Sequence, residues 1–252
     1  MKTSMLCLLG LALIVAASLP AAAMAGCGQG GGKGKGGGQG GGCDISQLPQ
    51  EELSEAETAS LLLMREEEKL ARDVYLTLGE KYELNVFSNI PRAEQRHMDR
   101  VGELLAKYEI ADPITDDSRG KFQNPELQKL YLDLVAKGST SVVAALQVGA
   151  TIEDLDIYDL EKAMANDVDN QDILQIYQNL TKGSRNHMRA FSSQLAAHGG
   201  SYEVQFITAA DYEAILASDQ EHGPAGEGQG RGKGKGQGRG QGRGQGRGCN
   251  NG

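Results

Sequence analysis

Cysteine is scarce in this chain: four residues among 252, at positions 7, 27, 43 and 249, with none between 44 and 222. A disulfide framework therefore does not build the interior. No Cys-x-x-Cys pair is present, which excludes a rubredoxin-type iron centre. No Gly-x-Ser-x-Gly occurs, so serine nucleophile chemistry finds no support, and the surviving cysteines sit beside glycine tracts rather than in a folded region. No phosphate-binding glycine loop follows a strand, because the 35 glycines are concentrated compositionally rather than placed singly. Strand signals are scarce as well.

What is present divides the chain into four parts. Residues 1–25 read as a secretory signal: Lys2 supplies the charge, Leu8 to Ala17 the apolar stretch, and Ala23-Met24-Ala25 a small-x-small cleavage site. That stretch is too short and too rich in alanine for a mature membrane span. Export is expected, to the periplasm or the cell exterior. Met24-Ala25-Gly26-Cys27 also resembles a lipobox with Met in place of Leu. Cleavage there would leave the protein tethered through an acylated Cys27. Cys43 can pair with Cys249 across the domain, or with Cys27; both pairings are open.

Residues 26–43 and 223–252 are almost wholly Gly with Gln, Lys and Arg. They carry almost no apolar side chains to offset the entropy of ordering, so both are expected to be disordered. Lys2, Lys33 and Lys35 give the first 43 residues +3, and six basic residues less Glu227 give 223–252 about +5. Residues 44–222 then hold about −17 of a net −9. An acidic globule between cationic tails attracts metal cations and repels nucleic acid. In an exported protein the tails would meet anionic cell-surface polymers or lipid; the alternative is a solubilising spacer.

The 179 residues from 44 to 222 suffice for one domain. Their apolar residues recur at helical spacing. The first long helix is expected from Ser54, whose spacing to Glu57 makes a capping box, with the stripe Leu61, Met64, Glu68, Ala71, Tyr75 and Leu78. The second is expected from Ser88 or Pro91 to Tyr108, with Ile90, Glu94, His97, Val101, Leu104 and Leu105. A linker over 109–123 leads to a short helix opened by Asn124-Pro125 and ending near Gly138. The third long helix is expected over 139–166, with Leu146, Ala150, Glu153, Ile157, Leu160 and Met164. The fourth is expected over 169–198, stopped by Gly199-Gly200, with Ile173, Ile176, Leu180, His187, Phe191 and Leu195 and with Ser184 between. Tyr202 to Ser218 remains as a short piece with room for a strand and a capping helix. The fold class is thus all-α: a four-helix bundle with an extra short helix in the crossover between the second and third long helices.

Each stripe is interrupted by an ionisable side chain. An ionised carboxylate alone in a bundle core costs several kcal/mol, roughly, even after relaxation, and several together also repel. A bound cation removes both penalties. Each member has a plainer reading. Arg65-Glu66-Glu67-Glu68-Lys69 resembles a solvated charge run, Glu94-x-x-His97 is a common accident, His187 could be a hydrogen-bonded core histidine, and Glu153, Asp154 and Asp156 could be an acidic first turn after Thr151. The conjunction is more specific than any one of them.

Glu68 to Tyr75 resembles the rubrerythrin and ferritin pattern E-x-x-A-x-x-x-Y, and Glu94 to His97 the E-x-x-H that follows it. The segments Glu66 to Tyr75, Phe87 to His97 and Gly183 to Phe191 together resemble an uncharacterised ferritin-like family, domain of unknown function 2202, over about residues 45–215. The resemblance implies a ferritin-like bundle with metal ligands Glu68, Glu94, His97, Glu153 and His187. Ser184 stands where a second E-x-x-H would have its glutamate, and Asp156, three residues after Glu153, could substitute. Iron is the metal implied, as one ion or two, with manganese or zinc possible. Tyr75 and Tyr158 are candidates for flanking the site. The activities that follow are Fe(II) oxidation or peroxide reduction; the alternative is a metal-storing or structural scaffold held at the envelope by its tails. A homodimer is possible.

Overall fold

The computed structural model describes residues 45–223, and every regular element among them is helical. After a single 3-10 turn, Ile45–Gln47, the helices are α1 (Glu55–Tyr82), α2 (Asn85–Lys107), α3 (Pro125–Gly138), α4 (Val142–Asn166), α5 (Gln171–Ala197) and α6 (Ala209–Ala217). The signal, the glycine tracts and the cysteine pairings lie outside the described residues. No described helix is long and apolar enough to cross a membrane.

The capping box forms as expected: Ser54 Oγ accepts from Glu57 N, and Glu57 Oε2 accepts from Ser54 N at 2.9 Å. The other carboxylate oxygen of Glu57 accepts from the backbone N–H groups of Asp169 and Asn170, joining the start of α1 to the start of α5. α3 begins and ends where Asn124-Pro125 and Gly138 place it. Three boundaries move. α2 starts at Asn85, so Pro91 lies inside it. The hydrogen bond lost at proline is offset because starting early buries Val86, Phe87 and Ile90. α4 is capped by Ser141 rather than starting at Ser139, and α5 begins at Gln171. Residues 201–208 form no strand. Asp154 instead accepts hydrogen bonds from Tyr202 Oη and from the N–H groups of Gln205, Phe206 and Ile207, which pins the segment as irregular chain.

α1 pairs closely with α2, and α4 with α5; contact between the two pairs is sparser. The interior is divided in two along the bundle axis. One apolar cluster holds Val74, Tyr75, Phe87, Leu146 and Phe191; the other holds Leu61, Val101, Leu104, Ile173 and Leu180. Following each helix between the clusters gives its direction. α1 and α2 are antiparallel, α4 runs parallel to α2, and α5 returns. The connection from α2 to α4 must therefore travel the length of the bundle.

α1 anchors that connection with its charged residues. Arg65 binds Asp112, Lys69 and Arg72 reach Ser118 O and Asp117, Asp73 accepts from Gly120 N, and Glu66 accepts from Gln123 N and Asn124 N. Residues 65–69 are therefore no solvated charge run: Glu66, Glu67, Glu68 and Lys69 are all buried.

Candidate metal centre

Between the two apolar clusters lies a layer of acids and imidazoles. Glu68 comes from α1, Glu94 and His97 from α2, Glu153 from α4 and His187 from α5. Glu153 sits well inside α4, so it is no part of an acidic first turn. Glu94 is 1% exposed and Glu153 0%. His97 Nδ1 lies 2.9 Å from Glu94 Oε2 and 3.2 Å from Glu68 Oε2. His187 Nδ1 lies 2.9 Å from Glu94 Oε1 and 3.5 Å from Glu153 Oε2. The ligand atoms form two groups, Glu68–Glu94–His97 and Glu94–Glu153–His187, each within 4.8 Å. Glu94 belongs to both, giving one oxygen to each imidazole. The two rings stand 5.7 Å apart between centroids, with their planes inclined by 28°.

The second group has the distances of hydrogen bonding without its directions. Glu94 Oε1, Glu153 Oε2 and His187 Nδ1 are all buried and have no hydrogen-bond partner. Buried polar groups are ordinarily paired. Three orphaned atoms facing one another are arranged for something placed between them. Carboxylate oxygen with imidazole nitrogen is a donor set that suits iron, manganese or zinc.

Electrostatics agrees with that geometry. Burial works against a proton on His97, but Glu68 and Glu94 outweigh it and raise the ring to about 10. His187 is likewise driven well above its ordinary value, against burial, by Glu94 and Glu153. Burial would lift Glu94, yet the two imidazoles hold it down at about 2. Glu153 rises to about 7, through burial that His187 only partly offsets and to which Glu94 adds. Glu68 is raised by burial against the pull of His97. Without metal, two imidazolium charges thus stand where cations would neutralise the acids.

Neighbouring residues fix Glu153 and His97. Tyr75 Oη donates to Glu153 Oε1 at 2.6 Å, which leaves Oε2 facing His187. Burial, reinforced by Glu153, pushes the Tyr75 hydroxyl well above its ordinary value, so it stays a donor. Gly183 was not among the residues expected to matter. A Cβ there would lie 2.6 Å from both Cε1 and Nε2 of His97, so the bare backbone of α5 is the floor on which that ring rests. Its sequence signal was a glycine inside a helical stripe, one turn before His187.

The remaining candidates divide. Ser184 is buried and donates to Leu180 O at 3.3 Å within its own helix, adding no ligand. Asp156 is buried beside the centre but belongs to neither three-residue group. The charges acting most strongly on it are Glu68, Glu153, Glu67 and Glu94. Tyr158 is 40% exposed, beneath Lys162 on the outer face of α4 and away from the site, because it falls outside the stripe that Glu153 shares with Ile157 and Leu160.

Residues 57–219 match the model of a family described as an uncharacterized protein domain, DUF2202. The uncharacterized protein MJ0754 of Methanocaldococcus jannaschii is 56% identical over 179 residues, which span 71% of this chain and 96% of that protein. The crystal structure of hypothetical protein MJ0754 from Methanococcus jannaschii matches with a TM-score of 0.68 at 55% identity, over 69% of this chain and 99% of that one.

Proposed function

The chain belongs to the DUF2202 family, and we propose that its helical domain is an exported metal-binding protein of ferritin-like architecture. Iron, as one ion or two, would be held by Glu68, Glu94, His97, Glu153 and His187. Manganese and zinc are the competing ions.

The observation that carries this reading is the division of Glu94 between two histidine-containing groups. Each group offers one imidazole and a second carboxylate of its own. Imidazole with carboxylate oxygens, shared through Glu94, is a donor set that suits two neighbouring divalent ions. Metal binding would displace the protons now on the imidazoles and satisfy the orphaned oxygens.

Bound iron would supply one-electron redox chemistry toward dioxygen or peroxide. The chain itself supplies the surroundings. Apolar clusters lie above and below, and Tyr75 orients Glu153 by donating to its Oε1. Export rests on residues 1–25, and the cationic tails suit anionic cell-surface polymers or lipid.

Elemental analysis of the natively purified protein tests the reading. Iron, manganese or zinc should be bound, and Glu94→Ala with His97→Ala should abolish it. Metal content unchanged in that double variant would sink the site. Ser184 favours a second reading, since α5 brings one ligand where a redox di-iron centre of the ferritin type has two. On that reading the protein stores metal or serves as scaffold, and iron-saturated protein consumes no peroxide.

A further inference from the structure

Ile215 is the last buried side chain of α6, and from Leu216 to Gly223 every residue is exposed except the half-buried Glu221. Residues 218–223 carry no apolar side chain. The segment is nevertheless tied along the surface of α5. Ser218 Oγ accepts from Arg189 Nη2 at 2.7 Å, Glu221 is bound in the middle, and Gly223 O accepts from Lys182 Nζ. Its partners step back from 189 to 182 as the chain advances, so this strap runs antiparallel to the helix.

Glu221 is gripped in two ways. Arg185 presents Nε and Nη2 to its two carboxylate oxygens at 2.8 Å and 2.6 Å, the fork geometry that matches a carboxylate. Arg189 Nη2 adds a third bond at 3.0 Å. Asn186 takes the backbone of the same residue: its Oδ1 accepts from Glu221 N at 2.9 Å, and its Nδ2 donates to Glu221 O at 3.0 Å. Arg189 Nη1 donates to that Oδ1 at 2.8 Å, which settles the orientation of the amide. The fork alone would suit any carboxylate or phosphate. Fork and amide together suit a glutamyl residue inside a peptide, because one reads the side chain and the other an N–H and C=O pair.

We propose that Lys182, Arg185, Asn186 and Arg189 form a recognition strip for an acidic peptide, filled intramolecularly by Glu221 and open to a glutamyl peptide of a partner when the strap leaves. Recognition of acidic motifs by clustered arginines is a recurring mode of peptide binding. Half-exposed ion pairs contribute little individually, and nothing apolar adds to them here, so the strap is exchangeable where a buried helix is not. The strip stands independently of the metal-binding reading, since none of its four residues is a proposed ligand.

The probe is a synthetic peptide with the sequence of residues 216–223, added to the nitrogen-15-labelled full chain. In the Glu221→Gln chain, whose own strap is weakened, the side-chain signals of Asn186, Arg185 and Arg189 should move as peptide is added. Its Kd should be tighter than that of native chain by about tenfold, the least that losing a hydrogen bond to a charged group is worth. The same peptide carrying Glu221→Gln should bind the variant chain weaker by a similar factor. Adding Arg185→Gln and Arg189→Gln to the variant chain should remove binding, with thermal melting to confirm folding. No signal movement in the Glu221→Gln chain at millimolar peptide would overturn the proposal. Equal affinity of native and Glu221→Gln chains would refute occupation by the strap. Equal affinity of the two peptides, or the same movements with acetate alone, would refute recognition of a glutamyl peptide.

Discussion

Replacing Gly183 by alanine sets two effects of opposite sign against each other. Glycine inside a helix is less favourable than alanine by about 1 kcal/mol, so on local grounds the substitution should stabilise α5. The new methyl, however, would lie 2.6 Å from two atoms of the His97 ring, and ordinary carbon contacts are about 3.5–4.0 Å. The ring must retreat by roughly 1 Å, and overpacking of that kind costs about 1–3 kcal/mol. The net change in metal-free stability is therefore a loss of about 0–2 kcal/mol.

Metal binding should suffer far more. Nitrogen–metal bonds tolerate displacements of only about 0.2 Å, while His97 Nδ1 now stands 2.9 Å and 3.2 Å from its two carboxylates. The assay is thermal melting of the native and Gly183→Ala proteins, each metal-free and metal-saturated, with Kd measured by chelator competition. The expected signature is a nearly unchanged metal-free melt and a metal-induced rise that largely disappears. Gly149→Ala is the control. Its methyl would lie 2.3 Å from Phe191, inside the apolar cluster, so both melts should fall together. A Gly183→Ala protein that binds metal as tightly as native, and melts higher, would refute the reasoning.

Two further outcomes follow from the same contacts. Asp73→Ala strips the buried Lys69 and Arg72 of their shared carboxylate, so denaturant titration should show a loss of about 3–5 kcal/mol; a loss below about 1 kcal/mol would mean the crossover is held by other contacts. In metal-free protein the His97 proton stabilises the fold: its ordinary value of 6.5 is raised to about 10, so that stability is complete below pH 6.5 and is lost as pH rises through 10. Glu94 works in the opposite sense, its contribution being present above 4.5 and lost as pH falls toward 2. Metal-free protein should therefore melt lower as pH rises from 7 to 10 while metal-saturated protein does not, and a flat metal-free profile over that range would contradict the assignment.

The helices were legible because their boundaries are written in side chains with a single local use. Ser54 with Glu57, and Asn124 with Pro125, act through backbone groups within one turn, and both were found where they were expected. The start of α2 was not legible from Pro91, because the deciding energy is long-range: Val86, Phe87 and Ile90 reach a core that local pattern does not display. The irregular segment 201–208 failed for a related reason. A strand was a possible element there, but three of its N–H groups and the Tyr202 hydroxyl are satisfied by one carboxylate on α4, and an acid is a poor advertisement for four hydrogen bonds to a distant loop.

The acids of α1 show most clearly what sequence could and could not resolve. Read along the chain, Arg65 to Lys69 is one hydrophilic block. Around a helix, successive residues turn by about 100°, so five adjacent side chains address separate surroundings. Arg65, Glu66 and Lys69 hold the crossover, Glu68 meets His97, and Glu67 is buried with neither oxygen paired. Periodicity selected Glu68, because it shares a stripe with Leu61, Met64 and Tyr75. It had no means of showing that Glu67, off that stripe, is buried as well. A charge run is solvated only where nothing covers it. In this chain the connection from α2 to α4 and the second helix pair cover the run from two sides, so Glu66 is held by backbone donors and Glu68 by His97. Glu67 is the one with neither oxygen hydrogen-bonded, and burial raises its carboxyl well above the ordinary value.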